Sequence, residues 1–439
     1  MRNIKQSEAK TTIIPFTEPT DSDHYEEKVR ELEEYVDKGN FKLIDKTCRM
    51  LTQNWPDDPL GWKMLGMFSG IENDFNQAKF AFRNYVSIMI SRDEDQEAQK
   101  TLTNFYHTRR VDDFQLKAII RQEIGQLFTF NKWKEGGESE LSEQGILWVR
   151  LEHESKQLSY LLKKGYDIPN LKLTQNKLLK LYNHSHSLVD PSDPLQWVKT
   201  DLDMNEDISI SFNQILHFHN CKPLANNALN SKLDWRKFQD DFLSKDVPLA
   251  CIDEFLSVDA LEQMQEFCLS STIWKRQFPD AYLGATIDGG FVSELHLKIT
   301  HELNEFMPLI FQPLQLINSV AFKYHPDFGT GQALHADDAS VGINLWTTPD
   351  SANLDSESGG VIIYDVMKPK GWNINNPSEM AQNYLEGVDC TATRVPYQCN
   401  RAVLFNPSFF HKSEKIKFDT DYENWRTNIT FFYDRPTVQ

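Results

Sequence analysis

The chain has 439 residues, and its 46 lysine and arginine residues against 64 aspartate and glutamate residues give a formal net charge of −18. Hydrophobic residues make up 40% of the chain and charged residues 25%, a composition that excludes collagen-like, low-complexity and membrane-spanning classes. The negative charge repels phosphate backbones and anionic lipid surfaces. We therefore expect neither nucleic acid nor a membrane as a partner.

The six cysteines are dispersed and form no C-x-x-C pair, which favours reduced thiols in the cytoplasm over a disulfide framework. The polar residues 1–22 lack the apolar core of a secretory signal and predict a flexible tail. We expect a cytoplasmic protein of two or three domains.

The first predicted elements are paired helices that repeat with a period of about 34 residues. The triplet at 39–41 recurs at 73–75, and the patterns W-x2-L-G at 62–66 and A-x3-F at 78–82 follow. Both patterns are typical of tetratricopeptide repeats, in which a small residue lets two helices approach closely. Residues 24–106 resemble that family, and an ordinary pair of helical hairpins is the alternative.

The repeat interpretation predicts a domain over residues 23–110, with Trp62, Leu65, Ala78 and Phe82 buried between helices. Apolar spacing stays helical from 111 to 235, and we see no chemistry in that middle region. Its histidine pairs, at 184 and 186 and at 217 and 219, lack a third ligand nearby. They are interpreted as surface or structural histidines.

Short β-rich runs separated by turn residues characterise the C-terminal region, residues 236–439. They lie at 321–324, 342–346, 361–364, 402–405 and 428–432, and helices are predicted around 259–267 and 295–303. This pattern predicts a sandwich or barrel-like β domain, so the fold class of the whole chain is α+β.

One segment of this region carries a candidate metal site. On an extended backbone residues i and i+2 point to the same side, so His335 and Asp337 can share one ion while Asp338 points away. A second histidine, His411, follows the run at 402–405 and the turn after it. Two histidines and one carboxylate form the facial triad of non-haem Fe(II) oxygenases, which leaves positions open for other ligands.

The last predicted strand carries a candidate anion-binding residue. Alternation along Arg426–Phe432 puts Arg426, Asn428 and Thr430 on one face. A guanidinium can bind a carboxylate in a bidentate manner, which suits the distal carboxylate of 2-oxoglutarate.

Taken together, residues 236–439 resemble the Fe(II)/2-oxoglutarate-dependent oxygenases, particularly the prolyl 4-hydroxylase-like branch. The resemblance implies a double-stranded β-helix, or jelly roll, that binds Fe(II), 2-oxoglutarate and O2 and is stimulated by ascorbate. It implies iron ligands and an anchor for the cosubstrate, with further cosubstrate contacts, at these positions: His335, Asp337 and His411 as ligands, Arg426 as anchor, and Tyr324, Asn344, Asn428 and Thr430 as contacts.

One departure concerns the anchor, because the interval between His411 and Arg426 is longer than the corresponding interval in the family. An insertion over Lys415–Asn424, interpreted as a solvent-exposed loop, explains the difference. If that alignment is wrong, Lys415 or Lys417 is the anchor instead.

The resemblance implies hydroxylation of an unactivated C–H bond with release of succinate and CO2. A protein or peptide substrate is the first hypothesis, because helical repeat arrays present concave surfaces to polypeptides. In the second, the substrate is a small molecule such as a natural product or amino acid, and the helical half forms a lid or a homodimer. The third is a non-catalytic interaction protein that uses its repeats alone.

Overall fold

The structure, a computed structural model, describes residues 22–102, 146–198 and 215–435. Short gaps within these ranges fall at 73, 93, 95–96, 99–100, 169–170, 187–189, 191–192, 194–195, 220, 279–280, 328 and 374–375. The chain divides into two compact units, residues 1–110 and 111–439. The predicted tail lies outside the described residues except at Ser22, as does the predicted helical stretch over 111–145. Among the described helices, none has the length and apolar character needed to cross a membrane.

The described residues of the first unit are mainly helical, and four of its helices have defined bounds. They are α1 (Ser22–Asp37), α2 (Phe41–Asn54), α3 (Pro59–Ile71) and α4 (Phe75–Ser91). The Asn40 side chain caps α2 and the Asp58 side chain caps α3, each by accepting a hydrogen bond from a first-turn N–H group. The interval between the first residues of α2 and α4 equals the predicted period. The tetratricopeptide assignment itself stays a prediction.

The predicted core of this unit is confirmed at three positions out of four. Leu65, Ala78 and Phe82 are buried. Trp62 is only partly buried, so the prediction for it is wrong. Its ring lies edge-on to the exposed Phe80, 5.5 Å between centroids. Its indole N–H donates to the carbonyl of Pro56 at 2.8 Å, which satisfies the polar end without burial.

Helices α3 and α4 pack closely where Gly66 meets Phe82. A Cβ atom on Gly66 would lie 2.7 Å from two carbon atoms of the Phe82 ring, which is fully buried. We therefore expect Gly66→Ala to destabilise this unit by about 1–3 kcal/mol, because an overpacked interface must shift. Urea unfolding measures the change, and Ser87→Ala on the exposed face of α4 is the control. Equal stability of the two variants would contradict the close packing.

The second unit contains the remaining elements. In chain order they are β1 (Ile146–Leu147), α5 (Trp148–Lys164), α6 (Leu171–His186), β2 (Trp197–Val198), α7 (Trp235–Leu243), β3 (Leu249–Ile252), α8 (Val258–Ser270), β4 (Arg276–Phe278), β5 (Tyr282–Thr286), α9 (Glu294–Phe306), α10 (Pro308–Phe311), β6 (Gln315–Tyr324), β7 (Val341–Trp346), β8 (Val361–Met367), α11 (Ser378–Glu386), β9 (Ala392–Val395), β10 (Ala402–Phe405), β11 (Phe409–Ser413) and β12 (Thr427–Asp434). The five predicted strands and both predicted helices are confirmed.

The strands form two main antiparallel sheets, which confirms the α+β class. The larger has the order β3-β10-β7-β12-β6-β5-β4 and the smaller the order β11-β8-β9. An isolated bridge between His335 and His411 adds the segment around His335 to the free edge of β11. The register of the large sheet places Asn428 opposite Trp346 and Thr430 opposite Asn344.

Alternation along β7 and β12 gives the large sheet two different faces. Ile343, Leu345 and Ile429 belong to an apolar cluster shared with helices α8 and α9. Trp346 points the other way, into a second cluster that also contains Val361 and Ile363 of the small sheet. The polar residues of β7 and β12 that share the face of Trp346 therefore lie on the side of the large sheet that the small sheet covers.

Helix α5 belongs to the predicted middle region and is nevertheless mostly buried. Its buried residues include four that carry charge or can be charged: Arg150, Glu152, His153 and Glu154. The side-chain amide of Gln157 donates to the carbonyls of Leu269 and Ser271 at 3.0 and 2.9 Å. Residues on both sides of 235 thus pack within one unit, and a domain boundary at that position stays a prediction.

Candidate metal centre

The structure brings His335, Asp337 and His411 together. Each offers one ligand atom, and these atoms lie within 4.8 Å of one another. The Nε2 atoms of His411 and His335 are 3.4 and 3.7 Å from Oδ2 of Asp337. Neighbouring ligands of an octahedral ion with bonds of about 2.1 Å lie about 3 Å apart. The two distances to Asp337 exceed this spacing by less than about 1 Å, so the three side chains can converge on one divalent cation.

Backbone pairing holds the three side chains in place. The amide of His335 donates to the carbonyl of His411 at 3.0 Å, and the reverse bond measures 2.8 Å. The amide of Asp337 donates to the carbonyl of Pro407, also at 2.8 Å. A segment far from β11 in sequence is thereby fixed to its edge, with His335 and Asp337 on one side as predicted.

The imidazoles are oriented by carbonyl oxygens. Nδ1 of His335 lies 2.7 Å from the carbonyl of Ala333, and Nδ1 of His411 lies 2.9 Å from the carbonyl of Phe409. Each Nδ1 therefore carries the proton and donates it, which leaves the Nε2 lone pair for a metal. This arrangement of outer partners is the one that metal-binding histidines normally have.

The electrostatics of the cluster favour metal-binding protonation states. Burial and the neighbouring His411 lower the pKa of His335. Burial alone would raise the pKa of Asp337, but the hydrogen bond and charge of His411, with His335 and Lys368, hold it below its ordinary value. A neutral His335 imidazole beside an ionised Asp337 carboxylate can bind a cation without first releasing protons.

A lysine supports the carboxylate ligand from outside. Nζ of Lys368 donates to the carbonyl of Asp337 at 2.8 Å and pairs with the carboxylate of Asp338. The Asp338 side chain is 70% exposed, which confirms that it points away from the cluster.

The second predicted group centres on Arg426, which is 2% exposed. Its Nε donates to the carbonyl of Gly359 at 2.9 Å, and its guanidinium carbon lies 4.9 Å from the ring centroid of Tyr324 and 5.7 Å from that of Tyr397. Within the described residues Nη1 has no hydrogen-bond partner and no carboxylate forms an ion pair with the side chain. A buried cation without a counter-ion is costly, so this position fits an anionic ligand.

Polar side chains continue along the same face as Arg426. Nδ2 of Asn428 donates to Oγ1 of Thr430 at 3.1 Å, and Thr430 donates to Oδ1 of Asn344 at 2.8 Å. Oδ1 of Asn428 is buried and accepts no hydrogen bond from the described residues. The predicted contacts Asn344, Asn428 and Thr430 thus form one row on the buried face that begins at Arg426.

Lys415 and Lys417, the alternative anchors, do not lie in the buried row that begins at Arg426. Lys415 and Lys417 are both exposed, whereas Arg426 is buried. The interpretation of Lys415–Asn424 as an exposed loop is also wrong in part, because Ile416, Phe418 and Tyr422 are buried. The two lysines alternate with Ile416 and Phe418, so the segment presents an apolar side to the protein and a charged side to solvent.

Two glycines define the turn that Arg426 contacts. Gly359 has a φ of +90°, and a Cβ atom on Gly360 would lie 2.0 Å from the carbonyl oxygen of Val395. The two residues form the bend directly before β8. Sequence reasoning missed the role of this bend, which is to present the Gly359 carbonyl to the arginine.

The histidine pairs of the predicted middle region do not belong to this cluster. His184 and His186 are exposed, and His217 and His219 are partly buried. Among the residues that the structure describes, the triad is the one cluster that could hold a metal ion.

Lys323 lies on the face of β6 opposite to that of Tyr324. Its hydrogen bonds to other described residues include no acidic side chain. Lys323 is fully buried, and its Nζ donates to the carbonyl of Cys268 and to the hydroxyl of Tyr422, both at 3.1 Å. The same atom lies 4.5 Å from the ring centroids of Trp274 and Tyr422. Burial lowers the pKa of Lys323 to about 7.

The lowered pKa predicts a pH-dependent stability. Unfolded lysine keeps its proton up to about pH 10, so between pH 7 and 10 the unfolded chain binds more protons at this position. The free energy of unfolding should therefore rise with pH relative to Lys323→Met, by about 2–3 kcal/mol from pH 7 to pH 9. Urea unfolding at several pH values measures the difference, with the exposed Lys232→Met as control. Parallel curves for the wild type and Lys323→Met would refute the lowered pKa.

No family model and no curated protein matches the chain. Solved structures do match. The non-haem α-ketoglutarate-dependent carbocyclase SnoK of nogalamycin biosynthesis matches with a TM-score of 0.34 and 13% identity over 49% of this chain and 91% of its own. HygX from Streptomyces hygroscopicus, with nickel, 2-oxoglutarate and hygromycin B bound, matches with a TM-score of 0.33 and 11% identity. This match covers 49% of this chain and 89% of HygX. A Pseudomonas putida prolyl-4-hydroxylase matches with a TM-score of 0.30 and 13% identity, and this match covers 48% of this chain and 99% of the hydroxylase.

The chain is similar to Fe(II)/2-oxoglutarate-dependent oxygenases of known structure. They include enzymes named for small-molecule pathways and one named for prolyl hydroxylation. These matches cover about half of the chain. The chemistry of this chain depends on the residues of its own site.

Proposed function

We propose that the protein is an Fe(II)- and 2-oxoglutarate-dependent dioxygenase that hydroxylates an unactivated C–H bond. The observation that supports this most is the combination of a two-histidine, one-carboxylate cluster with a buried arginine that has no carboxylate partner among the described residues. A metal site alone fits many proteins. A metal site together with a buried arginine that can bind a carboxylate fits an enzyme whose cosubstrate is a dicarboxylate.

His335, Asp337 and His411 would hold the iron, since their Nε2 and carboxylate atoms converge and their outer hydrogen bonds are already made. With 2-oxoglutarate and O2, the bound iron supplies oxidative decarboxylation to succinate and CO2 and the oxidation of a substrate C–H bond. Three protein ligands leave the remaining coordination positions open. The protein orients the ligands and excludes water.

Arg426 would bind the distal carboxylate of 2-oxoglutarate. Its fixed Nε leaves the two terminal nitrogens, one of them unpartnered among the described residues, to face the ligand. The row of Asn428, Thr430 and Asn344 offers further hydrogen bonds, and the Tyr324 ring packs against the guanidinium. The two sheets that enclose this row are arranged as expected for a double-stranded β-helix, which is the finer fold that we propose for residues 236–439.

We propose a protein or peptide as the substrate, on the basis of the helical unit over 22–102 and the concave surfaces that helical arrays provide. A homodimer through the helical region and a cytoplasmic location stay predictions from the sequence.

The test is an assay of succinate release. The protein is purified without oxygen, loaded with Fe(II), and given 2-oxoglutarate, O2 and ascorbate with a cell lysate divided into protein and metabolite fractions. We expect the protein fraction to stimulate succinate formation in the wild type and not in His411→Ala. Stimulation by the metabolite fraction alone would establish a small-molecule substrate, and no succinate with either fraction would favour a non-catalytic interaction protein.

A further inference from the structure

Helix α5 packs against residues 419–425, the segment that directly precedes Arg426. Trp425 is 1% exposed, and its ring lies among side chains of α5 and of the residue after β6. The ring centroids of His153 and His325 are 5.6 and 4.9 Å away, and Nζ of Lys156 is 5.3 Å away. Trp425 is therefore held by residues outside its own segment.

Lys156 connects the helix to this segment. Its Nζ donates to the carbonyl of Thr420 at 3.0 Å, and the indole N–H of Trp425 donates to the same oxygen at 3.2 Å. The ammonium also pairs with Glu152 at 2.8 Å, and the other oxygen of Glu152 lies 2.8 Å from Nε2 of His325. One chain of polar contacts thus joins α5, the segment and the end of β6.

The Glu152 carboxylate in this chain of contacts has a lowered pKa. Burial alone would raise the pKa of Glu152, but the hydrogen bond and charge of His325, together with Lys156, hold it at about 2. The carboxylate is therefore ionised whenever the protein is folded at neutral pH, and the Lys156 pair stays formed.

The segment is also held from its other side by Tyr422. The Tyr422 hydroxyl donates to the carbonyl of Leu269 at 2.7 Å and accepts from Nζ of Lys323 at 3.1 Å. Its ring lies 5.4 Å from that of His153 and 5.5 Å from that of Tyr160. Contacts with α5, β6 and the end of α8 thus fix the backbone before β12.

A shift of Trp425 would reach Arg426 directly. The hydroxyl of Thr348 donates to the carbonyl of Trp425 at 3.1 Å and accepts from the amide of Thr427 at 2.8 Å. The residues on both sides of Arg426 therefore share one partner. A binding side chain must be held within about 0.5 Å of its productive position, and here the neighbouring contacts supply that precision.

We propose that helix α5 positions Arg426 for 2-oxoglutarate through Lys156 and Trp425, with Lys156 as a positioning residue. This inference rests on the proposed function. It gives the predicted middle region a role. It also explains the long interval between His411 and Arg426, because part of the additional chain forms the surface on which α5 packs.

The test compares Lys156→Met with the wild type. Calorimetric titration of the Fe(II)-loaded protein with 2-oxoglutarate under anaerobic conditions measures the Kd, and succinate assays measure KM and kcat. We expect the Kd and KM for 2-oxoglutarate to rise about tenfold or more, because misplacing a binding group by about 1 Å can cost about a hundredfold, with kcat changed less than about threefold and the iron content unchanged. Lys156→Arg should restore most of the affinity, because it keeps the charge and the donor.

Lys172→Met, at an exposed position on α6, is the matched control and should bind 2-oxoglutarate like the wild type. Trp425→Phe keeps a ring and removes the donor to Thr420, so it tests the same connection if Lys156→Met fails to fold. If Lys156→Met folds, an unchanged Kd for 2-oxoglutarate in that variant overturns the inference. If it does not fold, an unchanged Kd in Trp425→Phe overturns it. Failure of the wild type to bind 2-oxoglutarate overturns the proposed function instead.

Discussion

Replacing His411 by alanine should reduce bound Fe(II) from one ion per chain to background and abolish 2-oxoglutarate turnover. The reason is that two ligands cannot hold an exchangeable divalent cation as three do, and His411 is the most buried member of the cluster, at 5% side-chain exposure. His335→Ala should have the same effect. Metal analysis after anaerobic loading and a succinate assay measure the two losses.

The control for this experiment is His301→Ala, which removes a histidine whose side chain is 73% exposed on α9. It should retain both iron and turnover. Thermal unfolding of the metal-free proteins should show that His411→Ala still folds, because the substitution removes the side-chain contacts with the Phe409 carbonyl and Asp337 and leaves the backbone pairing of β11 in place. Full activity of His335→Ala and His411→Ala would disprove the metal assignment.

Arg426→Ala should raise the 2-oxoglutarate requirement by roughly a hundredfold to several thousandfold while iron still binds. Removing one partner of a buried charge pair costs about 3–5 kcal/mol, which corresponds to that range. The proposed pair is one of this kind, because Arg426 is buried and its Nη1 has no partner in the part of the chain that the structure describes. The 2-oxoglutarate Kd and KM, with the iron content, measure the effect.

Arg426→Lys should recover only part of the affinity, because a lysine keeps the charge and loses the planar fork. Arg236→Ala, which removes an arginine that is 89% exposed, is the control. Lys415→Ala and Lys417→Ala should behave like that control, since both side chains are exposed. If either lysine variant lost 2-oxoglutarate affinity while Arg426→Ala kept it, the last strand would be wrongly placed.

The sequence by itself determined those parts of the site that depend on local periodicity. His335 and Asp337 share a side because residues i and i+2 of an extended chain always do, and Arg426, Asn428 and Thr430 share a face for the same reason. A strand pattern is a short-range property, because the side on which a residue lies depends only on its position along the extended chain. The pairing of His335 and Asp337 with the distant His411 rested on the ligand set of a facial triad and on the family resemblance.

Only the tertiary structure decided what surrounds those residues. In a helical sequence, charged positions such as Glu152 and Lys156 predict a solvent-exposed face, and nothing local indicates that the distant Trp425 packs beside them. Burial of a charge depends on partners that the fold supplies, so it cannot be predicted from spacing. The same reason explains Trp62, which stays partly exposed because a nearby carbonyl satisfies its indole. Position along an element is local information, whereas the partner of a buried polar group is a property of the assembled chain.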